Sequence, residues 1–298
     1  MISILIPIYN FPCSDLIKEL AGQAQEANVP FEIICIDDCS SQLKEENRLI
    51  NEIPHCTYIE LDKNIGRSRI RNLLVTKAAY EYVLFLDCDS QIPRPDYIQK
   101  YVEGIRQYDI LSGGRLYEPV PPADPVYYLH WKYGTVREPK PDNHQYKAFT
   151  SNNFIIKKSI IETYPFNEKI VRYGHEDSLF QFELEKNGHP IHFIDNPVVH
   201  IGLESNVKFL EKTRESIVNL YELYHSDTID TLDIDKLKLL KTFLRIKKYK
   251  LSGFLSFFYP AVHSINNKIN LGRHPSLHLL DAYKLTYLNR VFRVNTTK

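Results

Sequence analysis

Blocks of apolar residues alternate with amphipathic stretches through the first two thirds of the chain. Ile2–Ile6 is an apolar run closed by Pro7 and predicts a first strand. Ser14 can cap a helix to about Ala27, with Leu16, Ile17 and Leu20 on one face. Phe31–Ile36 predicts a second strand, a polar helix follows to about Asn51, and Thr57–Leu61 predicts a third strand. A turn at 62–66 leads into a helix over Arg67–Ala79, and the run Tyr82–Leu86 reads as a buried strand. Further on, the pattern predicts a helix from Pro93–Pro95 to about Gln107, a strand over Ile110–Gly114, and an irregular Pro- and Tyr-rich stretch over 117–147. A strand from Phe149 to Ile156, a helix after Asp177 and short strands at Ile191–Ile194 and Val198–Val199 complete this part. Strands alternating with helices imply βαβ units and a parallel sheet. From about Ser205 the pattern turns to helices alone, at about 205–225 and 233–248, with weaker pieces to 292.

The Tyr82–Leu86 run ends in Asp87-Cys88-Asp89-Ser90. On an extended backbone the i, i+2 spacing would put both carboxylates on one side. A carboxylate pair at the C-terminal end of a buried strand lies where open α/β sheets hold ligands. Burying it uncompensated is costly, so it calls for a cation or strong donors. The expectation is a divalent-metal site holding a phosphorylated ligand; the bland alternative is a solvated turn. Tyr9 and the Asp37-Asp38 pair follow neighbouring strands and would share the same sheet edge.

Composition adds little about the whole and something about the tail. The 298 residues carry 37 Lys+Arg and 37 Asp+Glu, with no net charge. Between Lys236 and Lys298, however, there are thirteen Lys or Arg and one acid, Asp281. Such asymmetry points to a surface role. The five cysteines lack paired zinc spacing, which suits a reducing cytoplasm. The N-terminus lacks a basic segment and meets Pro7 early, so a signal peptide is not expected, nor is a membrane-spanning helix.

Taken together, Ser3-Ile-Leu-Ile-Pro-Ile-Tyr-Asn10, Ile36-Asp-Asp-Cys-Ser40, Asn64-Ile-Gly-Arg-Ser-Arg-Ile-Arg-Asn72, Asp87-Cys-Asp89, Gly174-His-Glu-Asp177 and Val199-His-Ile-Gly202 resemble the family 2 glycosyltransferases. The likeness covers about residues 2–202; Ile70 stands where the family often has Ala. It implies a GT-A fold, with a mostly parallel central sheet flanked by helices. The chain would then divide into a glycosyltransferase domain at 1–204 and a basic helical C-terminal extension at 205–298. The implied activity is inverting transfer of a hexosyl group from a nucleotide-sugar, a UDP-sugar by expectation, to a hydroxyl of a glycan or lipid-linked acceptor in polysaccharide biosynthesis. The expected cofactor is a divalent metal, Mn²⁺ before Mg²⁺.

The resemblance assigns roles residue by residue. Asp89 would be the direct metal ligand, and Asp87 would reach the ribose or the metal through water. His200 would complete the metal site, its imidazole tilting preference toward Mn²⁺. Pro7 and Tyr9 would line the base pocket, and Asp37 or Asp38, with Asp38 favoured, would accept the uracil N–H. Gly66 and Arg67 would hold the diphosphate through backbone N–H groups and a guanidinium. Cys88 is counted with the donor site as a backbone spacer whose side chain faces away. Asp177 would be the general base, and Glu176 would bind acceptor hydroxyls or orient the loop. Asn152 and Asn153 would contact donor sugar or acceptor. Trp131, the only Trp, either offers a face to a sugar or anchors its loop.

In the tail, Leu251–Val262 carries Phe254, Phe257, Phe258 and Tyr259 beside Lys247, Lys248 and Lys250. This suits peripheral contact with anionic lipid, the alternative being a helical packing domain with a solvated basic face. No nucleic-acid partner is expected. A rival class, a nucleotidyltransferase, would need a Gly-rich, Lys-containing loop after the first strand, where Pro7–Pro12 stands instead. A scaffold of the same fold that binds nucleotide-sugar or carbohydrate without catalysis is the remaining alternative.

Overall fold

A computed structural model describes residues 1–138, 149–226 and 228–296. The strands are β1 (Ile2–Ile8), β2 (Phe31–Asp37), β3 (Cys56–Glu60), β4 (Tyr82–Leu86), β5 (Ser90–Gln91), β6 (Ile110–Ser112), β7 (Arg115–Leu116), β8 (Asn153–Lys157), β9 (His192–Phe193) and β10 (Val198–His200). The helices are α1 (Ser14–Glu26), α2 (Lys44–Arg48), α3 (Arg67–Lys77), α4 (Tyr97–Gly104), α5 (Tyr128–Arg137), α6 (Lys158–Thr163), α7 (Glu176–Lys186), α8 (Asn206–His225), α9 (Thr231–Ile234), α10 (Lys238–Lys248), α11 (Ser252–Asn270) and α12 (Leu277–Thr296). They form two compact units. One comprises Met1–Glu118, Glu138–Val171 and Glu176–Gly202; the other comprises Pro119–Arg137, Arg172–His175 and Leu203–Lys298.

The first unit is built on a seven-stranded sheet in the order β3-β2-β1-β4-β8-β6-β9. Strands β1 to β4 run parallel, as their near-continuous apolar sequences require of a sheet covered on both faces. The chain lays β2 and β3 on one side of β1, then returns to place β4 on the other. That reversal is a topological switch point, where α/β sheets open a crevice at their C-terminal edge. β1 continues through Pro7 to Ile8, beyond the expected closure. Pairing with β4 ends at Leu5↔Phe85, so Pro7 costs no ladder bond to β4. β8 runs antiparallel to both β4 and β6. A second, three-stranded sheet has the order β5-β10-β7, and its register sets His200 opposite Ser90.

Two apolar layers cover the main sheet. One joins Ile4, Ile6, Ile33 and Leu84 to Ile17, Leu20 and Ala24 of α1. The other joins Leu5, Phe85, Phe154 and Ile156 to Ile70 and Leu74 of α3 and Phe180 and Leu184 of α7. At its centre the Phe154 ring stacks on Phe85 and meets Phe149 edge-on, both at 4.9 Å between centroids, with Phe180 at 6.0 Å.

In the second unit α5 and α8 pack around Leu129, Leu210, Leu277, Leu280 and Tyr283. Asn206, at the first turn of α8, accepts from Leu129 N–H and donates to the Pro125 carbonyl. α11 and α12 pair along their length.

The local expectations need four corrections. Residues 125–137, expected to be irregular, form a short 3-10 turn running into α5; Asp124 caps it by accepting from Val126 N–H, with Pro125 at its first position. Residues 139–148 of that stretch lie outside the described residues. The strand expected from Phe149 begins only at Asn153. The helix expected over 233–248 is divided into α9 and α10. The weak pieces after 250 are two long helices.

Replacing Phe154 with Ala should cost about 3–5 kcal/mol, because the ring is fully buried among four others that cannot close the gap. Urea denaturation followed by circular dichroism measures it; a loss well under 1 kcal/mol would show that the aromatic layer relaxes around the hole.

Candidate active site

The site is assembled at the C-terminal edge of β1, β2 and β4. β4 ends at Leu86, and the chain turns at Cys88 and Asp89. The alternation of an extended strand therefore stops before the two acids, and their side chains take different partners. Asp87 accepts from Arg71 Nη2 at 2.8 Å, while Asp89 Oδ1 lies 3.4 Å from His200 Nδ1. This corrects the expectation that the spacing would set both on one side. The Cys88 side chain packs against the apolar layer under α1, and the Cys13 thiol reaches the Cys88 carbonyl at 3.9 Å. Only the Cys88 backbone is left for a donor-site role.

His200 reaches Asp89 because β10 pairs antiparallel with β5, which follows Asp89 at once. The Ile201 N–H donates to the Asp89 carbonyl at 2.9 Å and fixes the crossing. Gly202 has no room for a side chain, since a Cβ there would strike the Asp89 carboxylate. Behind His200 stands the Tyr117 ring, edge-on at 5.3 Å, whose hydroxyl donates to Glu138 at 3.0 Å; Arg115 pairs with the same Glu138. Burial would push the Asp89 carboxyl up, but the hydrogen bond and charge of His200, followed by the Arg115 charge, hold it below the usual carboxylate range.

An anionic oxygen and an imidazole nitrogen side by side form a donor set that suits Mn²⁺ or Mg²⁺. Among the described residues no group of three or more His, Cys, Asp or Glu converges as a metal cage. Asp89 faces His200, while Asp87 is engaged by Arg71. The fit is to an ion whose remaining positions are filled by phosphate oxygens and water, as such ions are commonly held.

The Asp37-Asp38 pair is engaged in the fold. Asp37 is fully buried and accepts from Ser40 N–H at 2.6 Å and from the Tyr58 hydroxyl at 3.0 Å. Asp38 clamps two backbone amides, accepting from Ile65 N–H at 2.6 Å and Gly66 N–H at 3.0 Å. Gly66 has φ +85°, a conformation glycine alone adopts without strain, and it begins α3. Its N–H is thus committed to Asp38, which corrects the expectation that it would meet a diphosphate. Pro7 is half-buried and Tyr9 is 55% exposed at the end of β1, so a base has an aromatic face there.

Asn153 is not a ligand contact. Its Oδ1 accepts from the Tyr97 and Tyr101 hydroxyls at 2.8 and 2.6 Å, and its Nδ2 donates to the Gly114 and Asn196 carbonyls at 2.9 Å each. That fills all four positions of the amide, and the residue is wholly buried. Asn152 is also buried; its carbonyl accepts from Asp87 N–H at 3.0 Å and its Oδ1 from the Thr150 hydroxyl at 2.7 Å.

Glu176 and Asp177 open α7 in the first unit. Glu176 Oε1 lies 3.4 Å from Arg67 Nη1, while Oε2 is buried with no hydrogen-bond partner among the described residues. Asp177 Oδ2 accepts from Ser151 N–H at 3.1 Å, and its Oδ1 is likewise buried and without a partner among the described residues. Burial first, then the Glu176 charge, push the Asp177 carboxyl above its ordinary value, against the pull of Arg71 and Ser151. The preceding Gly174 and His175 belong to the second unit and both have positive φ. There His175 Nε2 meets the Ser216 carbonyl at 3.1 Å, and a Cβ on Gly174 would strike Ser216. Trp131 lies on α5, also in the second unit.

The supporting layer of Arg115, Tyr117 and Ser151 was not singled out from sequence. Arg115 and Tyr117 are two apart around β7, and that spacing was the one available signal. Ser151 acts through its backbone amide, which carries no residue signature.

With this geometry in place, the comparisons with known proteins fall into line. The family described as "Glycosyl transferase family 2" matches residues 3–164, more than half of the chain, and the protein belongs to that family. It is an enzyme of the glycosyltransferase class with the GT-A fold. An uncharacterized glycosyltransferase of Methanocaldococcus jannaschii is 22% identical over 75% of this chain and 77% of its own. The chondroitin synthase of Escherichia coli is 25% identical over 63% of this chain, which matches only 32% of that protein. Among solved structures, a mannosyltransferase from Pyrobaculum calidifontis, in complex with GDP-Man and Mn²⁺, superposes with a TM-score of 0.58 at 14% identity, covering 99% of this chain and 86% of that one. Glucosyl-3-phosphoglycerate synthase from Mycobacterium tuberculosis, in complex with Mn²⁺, UDP and glucosyl-3-phosphoglycerate, gives 0.50 at 15% identity over 74% of this chain and 79% of that one.

Two substitutions separate scaffold from site. Asn153→Ala should lower the urea midpoint by an amount worth about 3 kcal/mol or more, since it strips partners from several buried groups, yet leave nucleotide affinity of the folded fraction unchanged. Gly202→Ala should do the reverse: displacing Asp89 should cut transfer at least about tenfold with little loss of stability. Calorimetry with nucleotide and thermal melts of both variants test the pair; a Gly202→Ala enzyme of full activity would show that Asp89 has slack.

Proposed function

We propose that the protein is an inverting, divalent-metal-dependent hexosyltransferase that uses a nucleotide-sugar, a UDP-sugar first, and glycosylates a hydroxyl of a glycan or lipid-linked acceptor in polysaccharide assembly. The observation that carries this reading is the pair of buried carboxylate oxygens on Glu176 and Asp177 that find no partner among the described residues, with the Asp177 carboxyl raised above its usual range. A buried carboxylate oxygen without a donor is costly unless a proton or hydroxyl is to be received there. A base raised toward working pH takes a proton more effectively than an ordinary surface carboxylate. The same pair counts against a binding scaffold, which would gain nothing from keeping it.

In this reading Asp177 takes the proton of the acceptor hydroxyl as its oxygen attacks the anomeric carbon. The nucleoside diphosphate departs from the opposite side, and the centre inverts, as in single-displacement glycoside hydrolysis. Glu176 accepts from a second acceptor hydroxyl, and its contact with Arg67 aligns it. Asp89 and His200 would hold the divalent ion, whose chemistry there would be electrostatic neutralisation of the charge that develops on the leaving diphosphate. Arg71 orients the Asp87 carboxylate through their 2.8 Å contact, from which Asp87 would reach a ribose hydroxyl or, through water, the metal. Tyr9 and Pro7 bound the base, and Asp38, with both oxygens on backbone amides, shapes the pocket chiefly through the loop it holds. The GT-A structures with GDP-Man or UDP and Mn²⁺ support this class of donor and metal. The likeness to chondroitin synthase, although this chain matches only 32% of it, supports polysaccharide as the product.

The test is a screen of UDP- and GDP-sugars with Mn²⁺ and with Mg²⁺, comparing the parent with Asp177→Asn. The variant should lose at least about a hundredfold in transfer at unchanged donor affinity. It should also melt higher, because the sign of the linkage is fixed by the raised carboxyl. A carboxyl whose folded-state pKa lies above its unfolded value contributes stability at low pH that is lost as pH rises through the folded value. At neutral pH the ionised group is thus a burden that Asn removes. For the same reason the acid limb of the transfer rate should fall above the ordinary carboxylate range. Full activity of Asp177→Asn, or a lowered melting temperature with an ordinary acid limb, would remove Asp177 from this role.

A further inference from the structure

Helix α11 is amphipathic the wrong way round for a helix facing water. Its inner face sets polar side chains among the apolar contacts that Tyr259 and Val262 make with the core of the second unit. Asn266 and Asn270 are fully buried, with Asn270 Nδ2 donating to Asn266 Oδ1 at 2.8 Å. Asn289 of α12 donates to the Ser252 carbonyl at 3.2 Å and to Ser256 Oγ at 2.9 Å, and the His263 ring lies on Tyr283. Its outer face carries Phe254, Phe257, Phe258, Ala261, Ile265 and Ile269, all exposed. These follow the three-and-four spacing of one helical stripe. Phe257 is 79% and Phe254 67% exposed, and Leu251 and Leu271 extend the stripe at either end.

The charges around this stripe have one sign. Arg245, Lys247, Lys248 and Lys250 precede it, and Lys268 and Arg273 stand at its far end, all exposed. No acidic residue occurs from Lys236 to Leu280. No described helix is long and apolar enough to cross a membrane, and α11 could not do so with its Asn- and Ser-bearing face.

We propose that α11 lies in the plane of an anionic lipid surface. Its aromatic stripe enters the boundary between headgroups and acyl chains, and the flanking lysines and arginines meet lipid phosphates. The occupant follows from charge complementarity. A second copy would set one uncompensated basic cluster against another, whereas an anionic bilayer supplies both the apolar layer and the opposite charge. Exposed rings on a stripe that α12 does not cover otherwise stand in water at a cost. The inference goes beyond the transfer reading and does not rest on it, because lipid binding is read without donor or acceptor.

The experiment is co-sedimentation of the full chain with vesicles of phosphatidylcholine alone and of phosphatidylcholine mixed with phosphatidylglycerol. The protein should bind the mixed vesicles, bind the neutral ones far more weakly, and be released as salt is raised. Phe254→Ser/Phe257→Ser/Phe258→Ser should abolish binding with an unchanged circular dichroism spectrum, since those rings face outward. Lys248→Glu/Lys250→Glu should weaken binding at least about tenfold, each basic residue near an anionic surface being worth about fivefold. A Phe257→Trp variant should show blue-shifted emission on the mixed vesicles. Absence of binding to mixed vesicles, full binding by the triple Ser variant, equal affinity for neutral vesicles, or light scattering that shows a dimer lost on the same substitutions would each overturn the proposal.

Discussion

The catalytic unit is organised on one buried amide. Asn153 starts β8 and spends its four hydrogen-bonding positions on Tyr97 and Tyr101 of α4, on the Gly114 carbonyl before β7, and on the Asn196 carbonyl before β10. A Cβ on Gly113 would collide with the same group, so the backbone is drawn as close as it can come. One side chain thereby ties the backbone ahead of β7 and of β10, two paired strands of the small sheet, and its neighbour Asn152 holds the Asp87 amide. In a low-dielectric interior a fully satisfied polar centre specifies one arrangement, because any alternative strands several buried groups at once.

From that centre the chemistry divides along two arms. β10 delivers His200 to Asp89 from more than a hundred residues away, and Gly202 lets the carboxylate pass. α3 delivers Arg71 to Asp87 and Arg67 to Glu176. The acids thus sit in contrasting settings. Asp89 is held below its usual range by His200 and Arg115, which matches the metal-ligand role proposed for it. Asp177 is raised by burial and by Glu176, which matches the proton acceptor proposed there. Environments that push two carboxyls apart in pKa are a common mark of divided acid and base roles.

The family motifs were legible because each is local: a strand, its polar exit and the start of a helix. The order of β1 to β4 with the helices between them, the acids at strand ends and the basic tail follow from residue pattern alone, whereas α5 and the division of α9 from α10 do not. The side-chain directions did not. Asp87 and Asp89 read as a same-side pair only while the backbone is taken as extended, and the chain turns one residue after β4. Asn152 and Asn153 read alike in sequence, yet Asn153 is closed off by four partners. Gly66 and Asp38 read as two ligand contacts, whereas the carboxylate and the amide satisfy each other.

What the sequence by itself determined is therefore the class: which residue types stand at the sheet's ligand edge and in what order. Hydrophobic period, helix caps and motif spacing are properties of neighbours in the chain, and neighbours are what a sequence lists. Tertiary structure alone decided which of those polar groups remain available. Hydrogen-bond saturation, burial and the unpartnered oxygens of Glu176 and Asp177 depend on atoms brought from distant segments. The same is true of α11, whose composition marked it as unusual. Only its packing on α12 decided that the polar face goes inward and the phenylalanines out.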